Sequence, residues 1–283
     1  MSPCYVRLLT PDGLKAPDYT ADSLADAAQY ETEDGIYTVA NTFNTFHTLK
    51  LDAHLDRLED SAARSHIPLQ LNRDRLKRAL RQMITDSGMG SVRFRITVGR
   101  SHPDAYIISL EPFQPPTPAL IAEGVRVITV QNSARTNAAA KTTGWMHRRR
   151  AIIEALPPGI YDGILLDANG RLLEGLGSNF YAIMDGVLRT AATGVLPGIA
   201  QQVVFEIAPA VLPVQREAIH VQDIPRIEEA FITSSSRGII PVVEIDGHQI
   251  GDGRPGRLTR KLRTAYEAWV ADHLETLPEG EIS

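Results

Sequence analysis

Three turn signals in the second half of the chain constrain its fold most strongly. Asn169-Gly170, Asp185-Gly186 and Asp246-Gly247 each lie between two apolar, strand-like runs. Such pairs supply the positive φ angles of type I′ turns, which join neighbouring antiparallel strands. Helical patterns interrupt these strands at about 143–155, 199–209 and 256–274. We therefore predict a mostly antiparallel sheet with flanking helices in this half, and an α+β fold for the whole chain.

The first part of the chain mixes strands and helices. The patterns of residues 35–40 and 45–50 are typical of two successive strands. Apolar residues at helical spacing predict a helix over 52–65, for which Asp52 is a candidate N-cap, and a second helix near 73–86. A clean alternation then predicts a strand over 92–98, with one face apolar and the other carrying Arg93, Arg95 and Thr97.

A proline-rich segment separates the two parts. Four prolines fall within the seven residues 112–118, between two strand-like runs. Segments of this kind are stiff and extended, which suits an interdomain linker. A chain of 283 residues also suggests about two domains. We therefore predict a small N-terminal domain over 1–117 and a larger domain over 118–283.

Composition and charge exclude several classes of protein. The formal net charge of −5 is a poor fit to nucleic-acid binding, which needs a basic surface. We expect no membrane span and no secretory signal, because the chain has neither a long apolar run nor a basic segment followed by an apolar one near Met1. The single cysteine, Cys4, fits a reducing compartment, so we expect a cytoplasmic protein. The histidines are scattered along the sequence without the spacing of metal ligands, so we expect no metal site.

Two residues in the second half are candidates for covalent and acid–base chemistry. Lys141 follows a loop of small residues and precedes a helix, where burial would lower the pKa of its amine and make it a nucleophile toward carbonyls. The alternative is an ordinary surface lysine. Glu174 lies in a glycine-containing gap between two strand-like runs, where its carboxylate could face a cationic ring nitrogen. The alternative is an exposed glutamate at a bulge.

Two other features could bind an anion. A helix begins after Gly198 without a capping side chain, so the amides of Ile199 and Ala200 are available to a phosphate. An ordinary glycine-capped helix start is the alternative. Arg57 lies off the leucine stripe of its helix, and its forked guanidinium suits phosphate oxygens. Alternatively, it forms an exposed pair with Asp60.

Taken together, these segments resemble the fold-type IV pyridoxal-phosphate enzymes, a group that contains branched-chain aminotransferases, D-amino acid aminotransferases and aminodeoxychorismate lyases. The family's KLDEHLDRL, EGxGxN, LPGI and ITPV…DG segments correspond in order to residues 49–58, 174–180, 196–199 and 239–247. The separation of Lys141 and Glu174 also matches the family. The resemblance covers roughly residues 30–270 and implies a two-domain enzyme that usually forms a homodimer, with the site between the domains.

The resemblance implies a role for each candidate. Lys141 forms the Schiff base with pyridoxal 5′-phosphate and then moves the proton between Cα and C4′. Glu174 pairs with the protonated pyridine nitrogen and keeps the ring an electron sink. The residues implied for binding the cofactor's phosphate, or lying in the cofactor-binding segments, are Arg57, Ser178, Asn179, Ile199, Ala200 and Ser235. Those predicted for the substrate are Tyr37, Thr38, Arg93, Arg95 and Ser236. The two arginines share one strand face and repel each other unless an anion, such as a substrate carboxylate, lies between them, and the amide of Ser236 offers a second anchor.

Several positions depart from individual subfamilies. Ala200 replaces a usual threonine, and Trp145 and Met146 stand where branched-chain enzymes carry Asn-Tyr. Arg93 matches the branched-chain pattern, whereas Val98 stands where D-amino acid enzymes carry arginine. Substrate and enantiomer therefore stay open.

The leading hypothesis is an aminotransferase that moves an amino group from an amino acid or related amine to a 2-oxo acid. A lyase that releases pyruvate is the alternative, and Thr38 favours it, since lyases of this family carry threonine there. A fold relative without cofactor is the third possibility, and the co-occurrence of Lys141, Glu174 and Arg57 argues against it. Arg93 and Arg95 have an alternative to binding a substrate carboxylate, namely salt bridges to acidic residues of their own domain.

Overall fold

The computed structural model describes residues 4–131 and 135–282, which form two compact units. The first unit contains the described residues of Met1–Gln114, Ala140–Arg148 and His273–Ser283. The second contains those of Pro115–Ala139 and Arg149–Asp272. The predicted division at residue 117 differs from this grouping, because it assigned residues 140–148 and 273–283 to the larger domain. Both segments are hydrogen-bonded to strands of the first unit, and such long-range pairing leaves no trace in the linear order of the chain.

The first unit is built on a seven-stranded antiparallel sheet. Its strands are β1 (Tyr5–Thr10), β2 (Gly13–Lys15), β3 (Ile36–Phe43), β4 (His47–Leu49), β5 (Val92–Gly99), β6 (His102–Pro112) and β16 (Leu274–Thr276). They lie in the order β16-β4-β3-β5-β6-β1-β2. The helices of this unit are α1 (Leu24–Ala27), α2 (Leu51–Arg64) and α3 (Arg73–Ser87).

The core of the first unit lies where α2 and α3 cover the sheet. Leu55 and Leu58 of α2 and Leu80 of α3 share one buried cluster with Phe94 and Ile96 of β5. These residues follow the periods of 3.6 and 2 that the sequence displays, so the predicted helices and the apolar face of the 92–98 strand are confirmed.

The second unit is built on a nine-stranded mixed sheet. Its strands are β7 (Val125–Val130), β8 (Asp162–Leu166), β9 (Leu172–Gly175), β10 (Asn179–Met184), β11 (Val187–Arg189), β12 (Val214–Gln215), β13 (Glu229–Ser234), β14 (Gly238–Ile245) and β15 (His248–Gln249). Its helices are α4 (Pro118–Glu123), α5 (Thr143–Glu154, whose first half belongs to the first unit), α6 (Ile199–Ile207) and α7 (Arg257–Asp272). Short 3₁₀ turns cover Ala28–Tyr30, Ala208–Ala210 and Val221–Arg226.

Six strands of the second sheet close into a ring, in the order β10-β13-β14-β7-β8-β9 and back to β10. The closing contact pairs Glu174 of β9 with Asn179 of β10. Most neighbours are antiparallel, as predicted, but β7 runs parallel to both β8 and β14, and β11 runs parallel to β12. The inside of the unit is apolar and includes Val127, Phe180 and Ile232.

Two local predictions differ from the structure. The N-cap of α2 is Lys50, in the left-handed region at φ 48° and ψ 45°. The predicted N-cap Asp52 lies instead within the first turn, where its carboxylate interacts favourably with the helix dipole.

Two of the three predicted type I′ turns have the expected backbone. Asp185-Gly186 and Asp246-Gly247 both have two positive φ angles, as type I′ turns require. At Asn169-Gly170 only the glycine does, because the Asp167 carboxylate accepts from the amides of Asn169 and Arg171 and sets a different turn.

Candidate active site

Hydrogen bonds on both sides of Lys141 fix its backbone in the first unit. Its amide donates to Ser61 Oγ at 3.0 Å, and its carbonyl accepts from the Tyr37 amide at 3.0 Å. The half-buried side chain extends over Tyr37, with Nζ 4.6 Å from the ring centroid. The amine therefore lies at a defined position against a buried aromatic face, unlike an ordinary surface lysine.

The segment around Lys141 is also tied to the start of β3. The Thr143 amide donates to the Gly35 carbonyl at 2.9 Å, and the Gly35 amide donates to Thr143 Oγ1 at 2.8 Å. A Cβ at Gly35 would lie 2.7 Å from the Val98 carbonyl oxygen, so only glycine allows this close approach. The reciprocal pair holds residues 140–148 in the first unit.

Arg57 is buried on α2 beside two other buried polar residues. Its Nη2 lies 3.5 Å from Thr38 Oγ1, and that hydroxyl lies 3.0 Å from Nδ1 of His54. Burial, together with the positive charges of Arg57 and Lys141, holds the pKa of His54 well below its usual 6.5. The imidazole is therefore neutral, and the positive charge of this group belongs to Arg57.

The predicted surface pair of Arg57 with Asp60 is not formed. Asp60 pairs with Arg64 at 2.7 Å, whereas Arg57 is only 8% exposed. Ser61, one turn further along α2, donates to the Arg57 carbonyl at 2.7 Å and accepts from the Lys141 amide. Ser61 thereby links the backbone of the predicted phosphate ligand to that of the predicted nucleophile.

Glu174 is buried in the second unit with both carboxylate oxygens hydrogen-bonded. Oε1 accepts from Arg135 Nη1 at 3.0 Å, and Oε2 accepts from the Leu196 amide at 3.0 Å. Asn179, its direct partner across β9 and β10, donates from Nδ2 to the Leu196 carbonyl at 2.9 Å. The strand pair thus holds Leu196 by both its amide and its carbonyl, and this excludes the alternative of an exposed glutamate at a bulge.

The same strand pair sets the start of α6. Gly198 is the N-cap and supplies no side-chain hydrogen bond. A Cβ at Gly198 would lie 2.0 Å from Asn179 Oδ1, so the close approach of this loop to β10 needs glycine. The buried residues Ile199 and Ala200 form the first turn, where amide groups have no partner within the helix and the dipole favours an anion.

The three predicted serines lie in two turns of the second unit. Ser178 donates to Asp162 Oδ2 at 2.8 Å, and Asp162 Oδ1 accepts from the Leu176 amide at 3.0 Å. The hydroxyl of Ser178 therefore holds the turn that follows Glu174. Ser235 and Ser236 are half-buried in the tight turn between β13 and β14.

The two arginines of β5 form ion pairs within the first unit. Arg95 Nε donates to Glu31 at 2.8 Å and Nη1 donates to the Leu24 carbonyl at 2.6 Å, and the charged side chains are 5% and 0% exposed. Arg93 pairs with Glu111 at 3.3 Å and is 42% exposed. This is the salt bridging that the alternative interpretation of the two arginines described.

Sequence reasoning did not select three residues as parts of the site. Ser61, Arg135 and Asp162 contact Lys141, Glu174 and Ser178 respectively. A serine four residues after Arg57 on a helix was the available signal for Ser61, because such residues share one face. Arg135 and Asp162 carried no comparable signal, since their partners lie far along the chain.

The functional groups that these residues present match the parts of pyridoxal 5′-phosphate. Lys141 offers an amine for an aldehyde, and Glu174 offers a buried carboxylate for a ring nitrogen. The Arg57 guanidinium and the first turn of α6 suit a phosphate. On the chemistry of these groups, the residues present fit the cofactor.

Comparison with known proteins agrees with this chemistry. The family model for amino-transferase class IV matches residues 35–245. The chain is 29% identical over 233 residues to the branched-chain-amino-acid aminotransferase of Escherichia coli, covering 75% of each chain. It is 28% identical over 252 residues to the D-alanine aminotransferase of Bacillus licheniformis, covering 84% of this chain and 88% of the relative. These names favour amino-group transfer over the lyase alternative.

A solved structure confirms the predicted α+β fold. The crystal structure of the Escherichia coli branched-chain amino acid aminotransferase superposes with a TM-score of 0.81 at 22% identity. The match covers 97% of this chain and 99% of that one. The predictions of an aminotransferase, and of pyridoxal 5′-phosphate as its cofactor, are likewise confirmed by the family match. The chain belongs to the class IV aminotransferase family.

Proposed function

We propose that the enzyme transfers an amino group from an amino acid or related amine to a 2-oxo acid, with Lys141 as the residue that binds the cofactor and carries the proton. The fixed position of Lys141 carries this proposal. Bonds to Ser61 and Tyr37 hold its backbone, and its amine lies over the Tyr37 ring. An amine held in this way can accept a proton at the substrate Cα and return it to the cofactor's C4′.

Glu174 and the anion-binding groups have the complementary tasks. When bound, the cofactor supplies an electron sink for the carbanion that proton removal creates. Glu174, held by the Leu196 amide, would orient toward the ring nitrogen and stabilise its proton. Arg57, the first-turn amides of α6 and Ser235 would bind the phosphate.

For the substrate, we propose Tyr37, Thr38, Arg93 and Ser236. A substrate carboxylate would compete with Glu111 for Arg93, a contact that is half exposed and therefore weak. We do not retain Arg95 as a substrate ligand, because its guanidinium is buried with Glu31.

A homodimer and a cytoplasmic location are further proposals. Sedimentation of the purified protein tests the first, and cell fractionation tests the second. The structure adds that no helix in 4–131 and 135–282 is long and apolar enough to cross a membrane.

The decisive experiment is a half-reaction. The loaded protein is mixed in turn with L- and D-amino acids and simple amines while the cofactor's absorption spectrum is followed. Conversion to the pyridoxamine form, reversed by a 2-oxo acid, supports transfer. If no donor converts the cofactor and aminodeoxychorismate is cleaved to pyruvate, the lyase alternative is correct. Arg93→Ala should raise the KM for a carboxylate donor, and an unchanged KM would remove only the Arg93 assignment.

Variants test the cofactor residues. Lys141→Ala should lose the borohydride-reducible link and slow turnover by roughly 10²–10⁴-fold, whereas Lys15→Ala, at an exposed lysine, should do neither. Arg57→Ala removes a charge-assisted bond and should weaken cofactor affinity by roughly ten- to 150-fold. Arg64→Ala on the exposed part of the same helix is the matched control. Normal affinity in Arg57→Ala would place the phosphate elsewhere.

A further inference from the structure

The counter-ion of Glu174 in this structure is Arg135. The Arg135 and Glu174 side chains are 4% and 5% exposed, and Nη1 lies 3.0 Å from Oε1. A buried carboxylate without a positive partner destabilises the folded protein. The Leu196 amide also donates a hydrogen bond to this carboxylate, but the amide is neutral. Arg135 therefore supplies a positive charge directly beside the buried Glu174 carboxylate.

A bound cofactor would bring a second cation to the same carboxylate. The proposed function assigns the protonated ring nitrogen to Glu174, and this inference rests on that assignment. A carboxylate has about four lone-pair directions and can accept several hydrogen bonds, so a ring N–H can be added to those from Arg135 and Leu196. Two buried cations beside one carboxylate nevertheless repel each other.

The local structure indicates which of the two donors, Arg135 or the Leu196 amide, moves more easily. The Leu196 amide is part of the loop that Asn179 also holds, so it cannot withdraw without disturbing the start of α6. Arg135 itself lies outside any helix or strand, and its long side chain can adopt other rotamers. Displacement of Arg135 costs less backbone rearrangement.

We propose that Arg135 is a stand-in for the cofactor's ring nitrogen: it neutralises Glu174 in the cofactor-free protein and gives up this contact when the cofactor binds. Cofactor binding then has to compete with an ion pair that exists beforehand. Loss of Arg135 should harm the cofactor-free protein more than the loaded one, because the ring nitrogen replaces the missing charge. The variant should consequently bind the cofactor more tightly than the wild type.

The test compares full-length wild type with Arg135→Gln, each without and with pyridoxal 5′-phosphate. Thermal midpoints and the cofactor's Kd from an absorbance titration are measured. We expect Arg135→Gln to lower the midpoint of the cofactor-free protein, to enlarge the rise on cofactor addition, and to lower Kd by about tenfold or more. Arg226→Gln, at an exposed arginine paired with Asp185 and Asp223, is the matched control and should leave Kd unchanged.

A cofactor analogue sharpens the result. In a phosphorylated analogue whose ring nitrogen is replaced by CH, no cation can reach Glu174, so the gain in affinity of Arg135→Gln should disappear. If Arg135→Gln fails to fold, wild-type protein still gives an answer through modification by phenylglyoxal, mapped by mass spectrometry. Phenylglyoxal should modify Arg135 faster after loading with pyridoxal 5′-phosphate. Loading with the analogue should leave this rate unchanged.

Three outcomes would overturn the inference. Equal losses of stability in both states would mean that Arg135 keeps its contact beside the cofactor. Weaker cofactor binding in Arg135→Gln would make Arg135 a cofactor ligand. Unchanged reactivity of Arg135 on loading would exclude its displacement. A wild-type protein that develops no visible absorption band with pyridoxal 5′-phosphate would instead overturn the proposed function, and this inference with it.

Discussion

His54 should make the stability of the protein depend on pH below neutrality. Its side chain is 1% exposed and is hydrogen-bonded to Thr38, with the cations Arg57 and Lys141 close by. A proton on this imidazole would be desolvated and repelled in the folded state, whereas the unfolded chain accepts it at a pKa of about 6.5.

The sign and size of the effect follow from linkage. Between the depressed folded pKa and about 6.5, the unfolded state binds more protons than the folded state, so the free energy of unfolding falls as pH falls. At full effect this one group contributes a slope of about 1.4 kcal/mol per pH unit. The stabilising contribution is complete above about pH 6.5 and is lost progressively below it.

Urea unfolding of the cofactor-free protein at several pH values between about 7.5 and 5 measures this slope. His54→Gln removes the titrating group. It should reduce the slope of unfolding free energy against pH by up to about 1.4 kcal/mol per pH unit, even if it also lowers stability at every pH. His248→Gln, at an exposed histidine of β15, should leave the slope unchanged. Parallel curves for wild type and His54→Gln would refute the reasoning, because they would show that His54 titrates alike in both states.

Two further predictions concern the first unit. Ser61→Ala removes the hydroxyl that accepts from the Lys141 amide, so it should lower the free energy of unfolding by about 1–3 kcal/mol. It should also slow covalent attachment of the cofactor. Unchanged attachment kinetics would reduce Ser61 to a packing role. Glu31→Gln leaves the buried Arg95 charge uncompensated and should lower the free energy of unfolding in urea by about 3–5 kcal/mol. The control Glu33→Gln, at an exposed position two residues along, should have little effect. Equal effects of the two variants would contradict the argument from the buried ion pair.

Periodicity predicted the helices and strands well because it is a local property. The predicted helix over 52–65 is Leu51–Arg64 in the structure, and that over 73–86 is Arg73–Ser87. Pairing between distant strands is not local. Neither the parallel neighbours of β7 nor the closing contact between β9 and β10 leaves a pattern in the residues involved.

The same distinction applies to the site. Lys141, Glu174 and Arg57 were predicted as site residues from short motifs and from their order along the chain. Their partners depend on tertiary contacts: Arg135 is 39 residues from Glu174, and Ser61 is 80 residues from Lys141. The polar face of β5 shows the limit most clearly, since alternation placed Arg95 on that face but could not reveal that Glu31 occupies it.

The interleaved path of the chain has a consequence for fragments of the protein. The chain passes between the two units four times, at residues 114/115, 139/140, 148/149 and 272/273. A polypeptide ending at residue 117 would lack β16, so β4 would become an unprotected sheet edge available for pairing with other molecules. It would also lack the segment that carries Lys141. Neither unit can be obtained as a contiguous, autonomous piece, and ribosomal synthesis must reach residues 274–276 before the first sheet can be completed.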